Sequence, residues 1–104
     1  MVYKVIISEE AETDLDNFLK YLLLEKKSEQ AAVNLLDDFQ ATIQSLSLVA
    51  GSLKLCENPR LKALGYRRIN FMSHDYFMLY RVVSDEAMVD SIFHSLQDYE
   101  NKMQ

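Results

Sequence analysis

The sequence predicts an α+β fold: an N-terminal strand, an antiparallel helical hairpin, and then a three-stranded antiparallel meander. Two observations lead to this order. The first half carries apolar stripes at the three-to-four spacing of a helical face, and the second half carries three β-rich runs joined by turn-forming triplets. The links are short, so neighbours in sequence are expected to pack as neighbours in space, with the hairpin on one face of a small sheet.

The opening strand is Tyr3 to Ile7. Ser8 follows it, with Glu9 and Glu10 next: a hydroxyl to accept from the first free helical amides, and acids to favour the helix dipole. Ala11, Leu15, Phe18, Leu19 and Leu22 then recur on one face, giving a first helix over Glu9 to Lys26. Ser28-Glu29 repeats the start signal, and Ala32, Leu35, Leu36, Phe39, Ile43 and Leu46 trace a second stripe ending near Leu48. Ala50-Gly51-Ser52, Asn58-Pro59 and Gly65 break the pattern, so residues 50 to 65 read as one long loop.

From Tyr66 to Met72, Tyr76 to Val83 and Met88 to Phe93 the chain reads as strands, separated by Ser73-His74-Asp75 and Ser84-Asp85-Glu86. The second run is apolar on both faces and is expected at the sheet centre. In the first run Ile69 and Phe71 share one face and Arg68 and Asn70 the other, which turns Arg68 away from the helices. The tail from Ser95 holds one or two helical turns around Leu96, Tyr99 and Met103.

The 104 residues suit a single domain spanning 1–104. Apolar runs such as Tyr21 to Leu24 are far short of the roughly 20 residues a membrane crossing needs, so no membrane partner and a cytoplasmic location are expected. Cys56 is the lone cysteine and reads as a buried or half-buried thiol. No cofactor and no metal are expected: the chain lacks a glycine-rich phosphate loop, a nucleophile elbow, a paired-cysteine motif and a zinc-binding helix. Asp14, Asp16, Asp37 and Asp38 read as a solvated helical face.

The net charge of −5 argues against undirected nucleic-acid binding, which needs cations to neutralise phosphates. Yet all four arginines, Arg60, Arg67, Arg68 and Arg81, lie between Pro59 and Val83, where Asp75 is the only acid. RNA cleavage would need cations for the phosphate and an acid and a base near the 2′-hydroxyl. Arg68, Arg81, His94 and Tyr99 are the candidate catalytic residues of that kind. Arg67, Arg68, Arg81 and Phe77 are the candidates for holding a protein partner. His74, in a turn beside Asp75, reads as a solvated residue.

Several landmarks in order carry a resemblance. They are Tyr-Lys-Val-Ile-Ile-Ser at 3 to 8, Ala-Glu-x-Asp-Leu at 11 to 15, Asn58-Pro59, Leu-Gly-Tyr-Arg-Arg-Ile at 64 to 69, Tyr-Phe-Met-Leu-Tyr-Arg-Val at 76 to 82, and Ile-Phe-His-Ser-Leu-Gln-Asp-Tyr at 92 to 99. Together they resemble the RelE/ParE superfamily of type II toxin-antitoxin toxins. The resemblance implies that fold and a cognate antitoxin that wraps and neutralises the toxin. It leaves two targets: RelE-like members cut mRNA on the ribosome without a metal, and ParE-like members inhibit DNA gyrase. RelE-like toxins carry a catalytic arginine where this chain has Phe77, and basic residues where it has Arg68 and Asn70. Gln97 and Tyr99 stand near the arginine and tyrosine of their tail, and His94 resembles the strand-end histidine of some nuclease members. Phe77 and the Tyr80-Arg81-Val82 ending lean toward the ParE branch, an inhibitor that acts by binding. The alternatives are a RelE-like endoribonuclease and a non-toxic module that regulates its operon through the antitoxin.

Overall fold

The computed structural model describes residues 2–97 and 99–103, the side chains of residues 101 and 102 excepted. Its elements are β1 (Lys4–Ile7), α1 (Glu9–Lys20) continued by a π-helical turn (Tyr21–Glu25), α2 (Glu29–Val49), α3 (Pro59–Ala63), β2 (Arg67–Asn70), β3 (Tyr76–Val83), β4 (Glu86–His94) and α4 (Tyr99–Lys102). Apart from α3, the order is the one read from the sequence.

Both long helices begin where the serines stand. Ser8 accepts from the Ala11 amide and Ser28 from the Ala31 amide, each satisfying an otherwise free donor of the first turn. The first helix reaches Glu25 only by widening into the π turn, where the Lys26 amide bonds back to the Tyr21 carbonyl. Lys27 then reverses the chain at a left-handed φ of 52°.

The strands form a four-stranded sheet in the order β1-β4-β3-β2, with β1 parallel to β4 and the other pairs antiparallel. The parallel pairing follows from the intervening helices, since two strands entering side by side in the same direction need a long crossover. Ala11, Leu35, Leu46, Ala50, Ile69, Phe71, Met78, Tyr80, Ala87, Val89 and Ile92 form the main core between helices and sheet. Leu35 and Leu46 are fully buried, so truncating either to alanine is expected to cost about 2–5 kcal/mol.

The structure corrects several details. The connection after α2 is not irregular throughout: Asn58 accepts from the Arg60 and Leu61 amides with Pro59 in the first turn, and α3 forms. The Asn-Pro pair is a helix start, because proline has no amide to leave unsatisfied there. Strand β2 stops at Asn70, because the Met72 and Ser73 amides turn to the Asp38 carboxylate instead of a strand neighbour. Asp38 is accordingly buried rather than solvated, and His74 places Nδ1 2.7 Å from it. Asp14 likewise accepts from the Ile92 amide. Leu36 departs from its stripe and is exposed.

Candidate functional site

The sheet face turned away from α1 and α2 carries a second, smaller cluster of Cys56, Leu61, Phe77, Leu79 and Phe93, with Tyr66, Tyr99 and Met103 packed against it. Strand alternation puts it there: Met78 and Tyr80 point to the main core, so Phe77, Leu79 and Arg81 point to this outer face. Arg60 of α3 holds the tail over the cluster, donating to the carbonyls of Met103 and Glu100. At the far end β4 bulges. Leu79 faces Ser91 and Tyr80 faces Val89, which leaves Asp90 as the extra residue.

Arg68 lies across the outer face as expected. Its guanidinium carbon sits 3.7 Å from the Phe77 ring centroid and 5.8 Å from that of Tyr99, and Nε donates to Asn70 Oδ1 at 2.8 Å. Beneath it, Phe77 meets Tyr99 edge-on at 5.1 Å and Phe93 at 5.7 Å. Phe77 is only 1% exposed, so what a partner meets at this position is the Arg68 and Tyr99 cover. Leu53, Lys54, Leu55, Cys56, Glu57, Arg68, Asn70 and Tyr99 line a cleft of about 400 Å³ beside the free side of β2. Burial pushes the Cys56 thiol up, against a partial downward pull from Arg68.

The other candidates do not all join Arg68. Arg81 is on the same face but at the bulge, with its guanidinium 5.1 Å from the Tyr66 ring and Nε facing Asp90 Oδ2 at 3.4 Å, without hydrogen-bond alignment. Burial, and then the hydrogen bond and charge of Asp90, push the Tyr66 hydroxyl up. Arg67 points the opposite way, pairing in register with Tyr80 and donating to the Leu53 carbonyl, which fixes the chain after α2 to the sheet. His94 is also on the helix side. Its ring meets Tyr76 edge-on at 5.1 Å, Tyr76 meets Phe18 of α1, and His94 Nδ1 accepts from the Leu96 amide. His94 therefore does not join Arg68 and Tyr99: consecutive positions on a strand alternate faces, and His94 follows Phe93.

The reading from sequence missed the Asp38-His74 pair. A carboxylate on a helical stripe, at the position where a leucine would suit, was the available signal. Among the described residues no group of three or more histidines, cysteines, aspartates or glutamates stands close enough to hold a metal ion. Nor is any described helix long and apolar enough to cross a membrane.

A helical hairpin thus covers one face of the sheet, and the other face carries an arginine over a small aromatic cluster. Residues 5–99 match the family described as the ParE toxin of the type II toxin-antitoxin system, parDE. The chain belongs to this family, and an antitoxin is its partner. A chain of the chromosomal ParDE toxin-antitoxin system of P. aeruginosa superposes with a TM-score of 0.70 at 21% identity, over 89% of this chain and 96% of that one. The E. coli toxin RelE, as an arginine double mutant with an antitoxin RelBc peptide, gives a TM-score of 0.48 at 15% identity, over 99% of this chain and 93% of that one. No curated protein matches the sequence.

Proposed function

We propose that this ParE-family toxin acts in the cytoplasm as a binding inhibitor of DNA gyrase, and that its antitoxin neutralises it by covering the outer sheet face, with Arg68 and Arg81 among the contacts. The observation that best supports inhibition by binding is the content of that face. By the family resemblance Phe77 stands where the RelE-like toxins carry a catalytic arginine, and its ring is packed beneath Arg68. His94, the best-placed base in the sequence, is on the other side of the sheet. The set of Arg68, His94 and Tyr99 that could serve phosphodiester transfer is thus split between the two faces of the sheet, which favours binding over cleavage.

The test is a supercoiling assay with purified gyrase and the toxin freed of its antitoxin, together with pulse-labelling of DNA and protein synthesis after induction in cells. Inhibited supercoiling and an early fall in DNA synthesis are expected. An early fall in protein synthesis accompanied by cleaved mRNA would replace this reading with a nuclease. No effect on either would leave a module that acts only through its antitoxin.

A further inference from the structure

The four arginines differ in what their guanidinium groups already hold. Both terminal amines of Arg60 donate to tail carbonyls, Arg67 donates to the Leu53 carbonyl, and Arg81 faces Asp90. Arg68 uses only Nε, on Asn70, and among the described residues no carboxylate pairs with it. One face is fixed against Phe77 and one edge against Asn70, so the two terminal amines are held as a fork with little rotamer freedom left to lose.

That fork lies on the last strand of the sheet. Leu55 bridges Arg67, and the Cys56 amide bonds to the Tyr66 carbonyl, so the beginning of β2 is covered. Beyond it, alongside Arg68 to Asn70, no further strand is present among the described residues. Arg68 and Asn70 line clefts on both sides, of about 400 Å³ and about 320 Å³.

We propose that Arg68 receives a single Asp or Glu carboxylate of the antitoxin, gripped at two points, from a segment that runs extended along the free edge of β2. This rests on the reading that the antitoxin covers the outer face. Planar carboxylate matches the guanidinium fork, and an edge strand supplies the main-chain pairing that orients such a segment. A polyanion fits less well. Lys54 and Glu57 offset one another in one cleft, Asp75 lines the other and the chain carries a net charge of −5, so a row of phosphates finds no run of cations beyond Arg68, whereas one carboxylate needs only the fork.

The experiment measures affinity between the full-length toxin and its cognate antitoxin by calorimetry, with wild type and Arg68→Lys and with each acidic antitoxin residue in turn changed to its amide. Arg68→Lys keeps the charge and loses the fork, and is expected to weaken binding at least tenfold. One antitoxin variant should show a similar loss and no further loss when combined with Arg68→Lys. The antitoxin variants leave the toxin untouched, so the result stands even if Arg68→Lys folds poorly. Affinity within threefold of wild type for Arg68→Lys and for every antitoxin variant overturns the proposal. So does a loss confined to binding of a single-stranded RNA oligonucleotide, which would make phosphate the ligand. Hydrogen exchange separates the two layers: slowed Arg68 and Asn70 amides in the complex with no effect of the variants refute only the carboxylate, whereas unslowed amides refute the edge docking as well.

Discussion

Asp38→Ala is expected to destabilise the protein by about 3 kcal/mol, a large share of what a chain of this size has. The side chain is 4% exposed and its carboxylate accepts from the Met72 amide at 3.1 Å, the Ser73 amide at 3.1 Å and His74 Nδ1 at 2.7 Å. Removing it leaves three donors without that acceptor. His74 is about a third exposed and can turn to water, so its loss is expected to be the smallest. The two amides define the turn from β2 to β3 and are only partly hydrated where they stand; each lost bond to a charged acceptor is worth roughly 1.5 kcal/mol. Asp38→Asn, which retains one acceptor oxygen, is expected to lose about half as much. Urea unfolding followed by circular dichroism measures this directly: with a slope of about 1.5 kcal/mol per molar, the midpoint should fall by about 2 M for the alanine variant. A fall under about 0.5 M would refute the reasoning, because it would mean that water replaces the carboxylate at little cost and that the turn is held by its own strands.

Tyr80 offers a pH test. Its hydroxyl donates to the Ala50 carbonyl at 2.8 Å inside the core, and burial pushes its pKa up to about 12. The folded state holds the proton more tightly than the unfolded chain, so the stabilisation is complete below about pH 10 and is lost as pH rises from there to about 12. Stability measured by denaturant at stepwise pH should fall over that window, by about 2–3 kcal/mol from this group. Tyr80→Phe should lower stability at neutral pH by about 1 kcal/mol and flatten the fall without abolishing it, since Tyr66, Tyr76 and Cys56 shift in the same direction. Equal slopes in both proteins would assign the fall to other groups. Asn58→Ala removes the cap of α3 and should cost about 1 kcal/mol in the same assay, with Asn58→Ser nearly neutral. Arg60→Met should free the tail from α3 and speed amide exchange at Met103 without a comparable change in β3; unchanged exchange would show that the aromatic contacts of Tyr99 suffice.

The local periodicities carried most of the fold. A repeat of 3.6 or of 2 needs only neighbouring residues to be read, and capping serines mark helix starts by a bond spanning three positions. The same alternation placed Arg68 outward, with Ile69 and Phe71 inward, before any contact was known. The ordered landmarks also carried the family. What local pattern could not decide was which distant groups share a bond. Asp38 and His74 are 36 positions apart, and Arg67 and Leu53 are joined only because the connection after α2 crosses the end of β2. Each pairing depends on the angle between helix and sheet, which no single segment encodes. The sequence thus determined the elements other than α3, their order and the faces of each strand, whereas the tertiary structure decided which arginine keeps its terminal amines without a partner among the described residues and that His94 stands on the other side of the sheet from it.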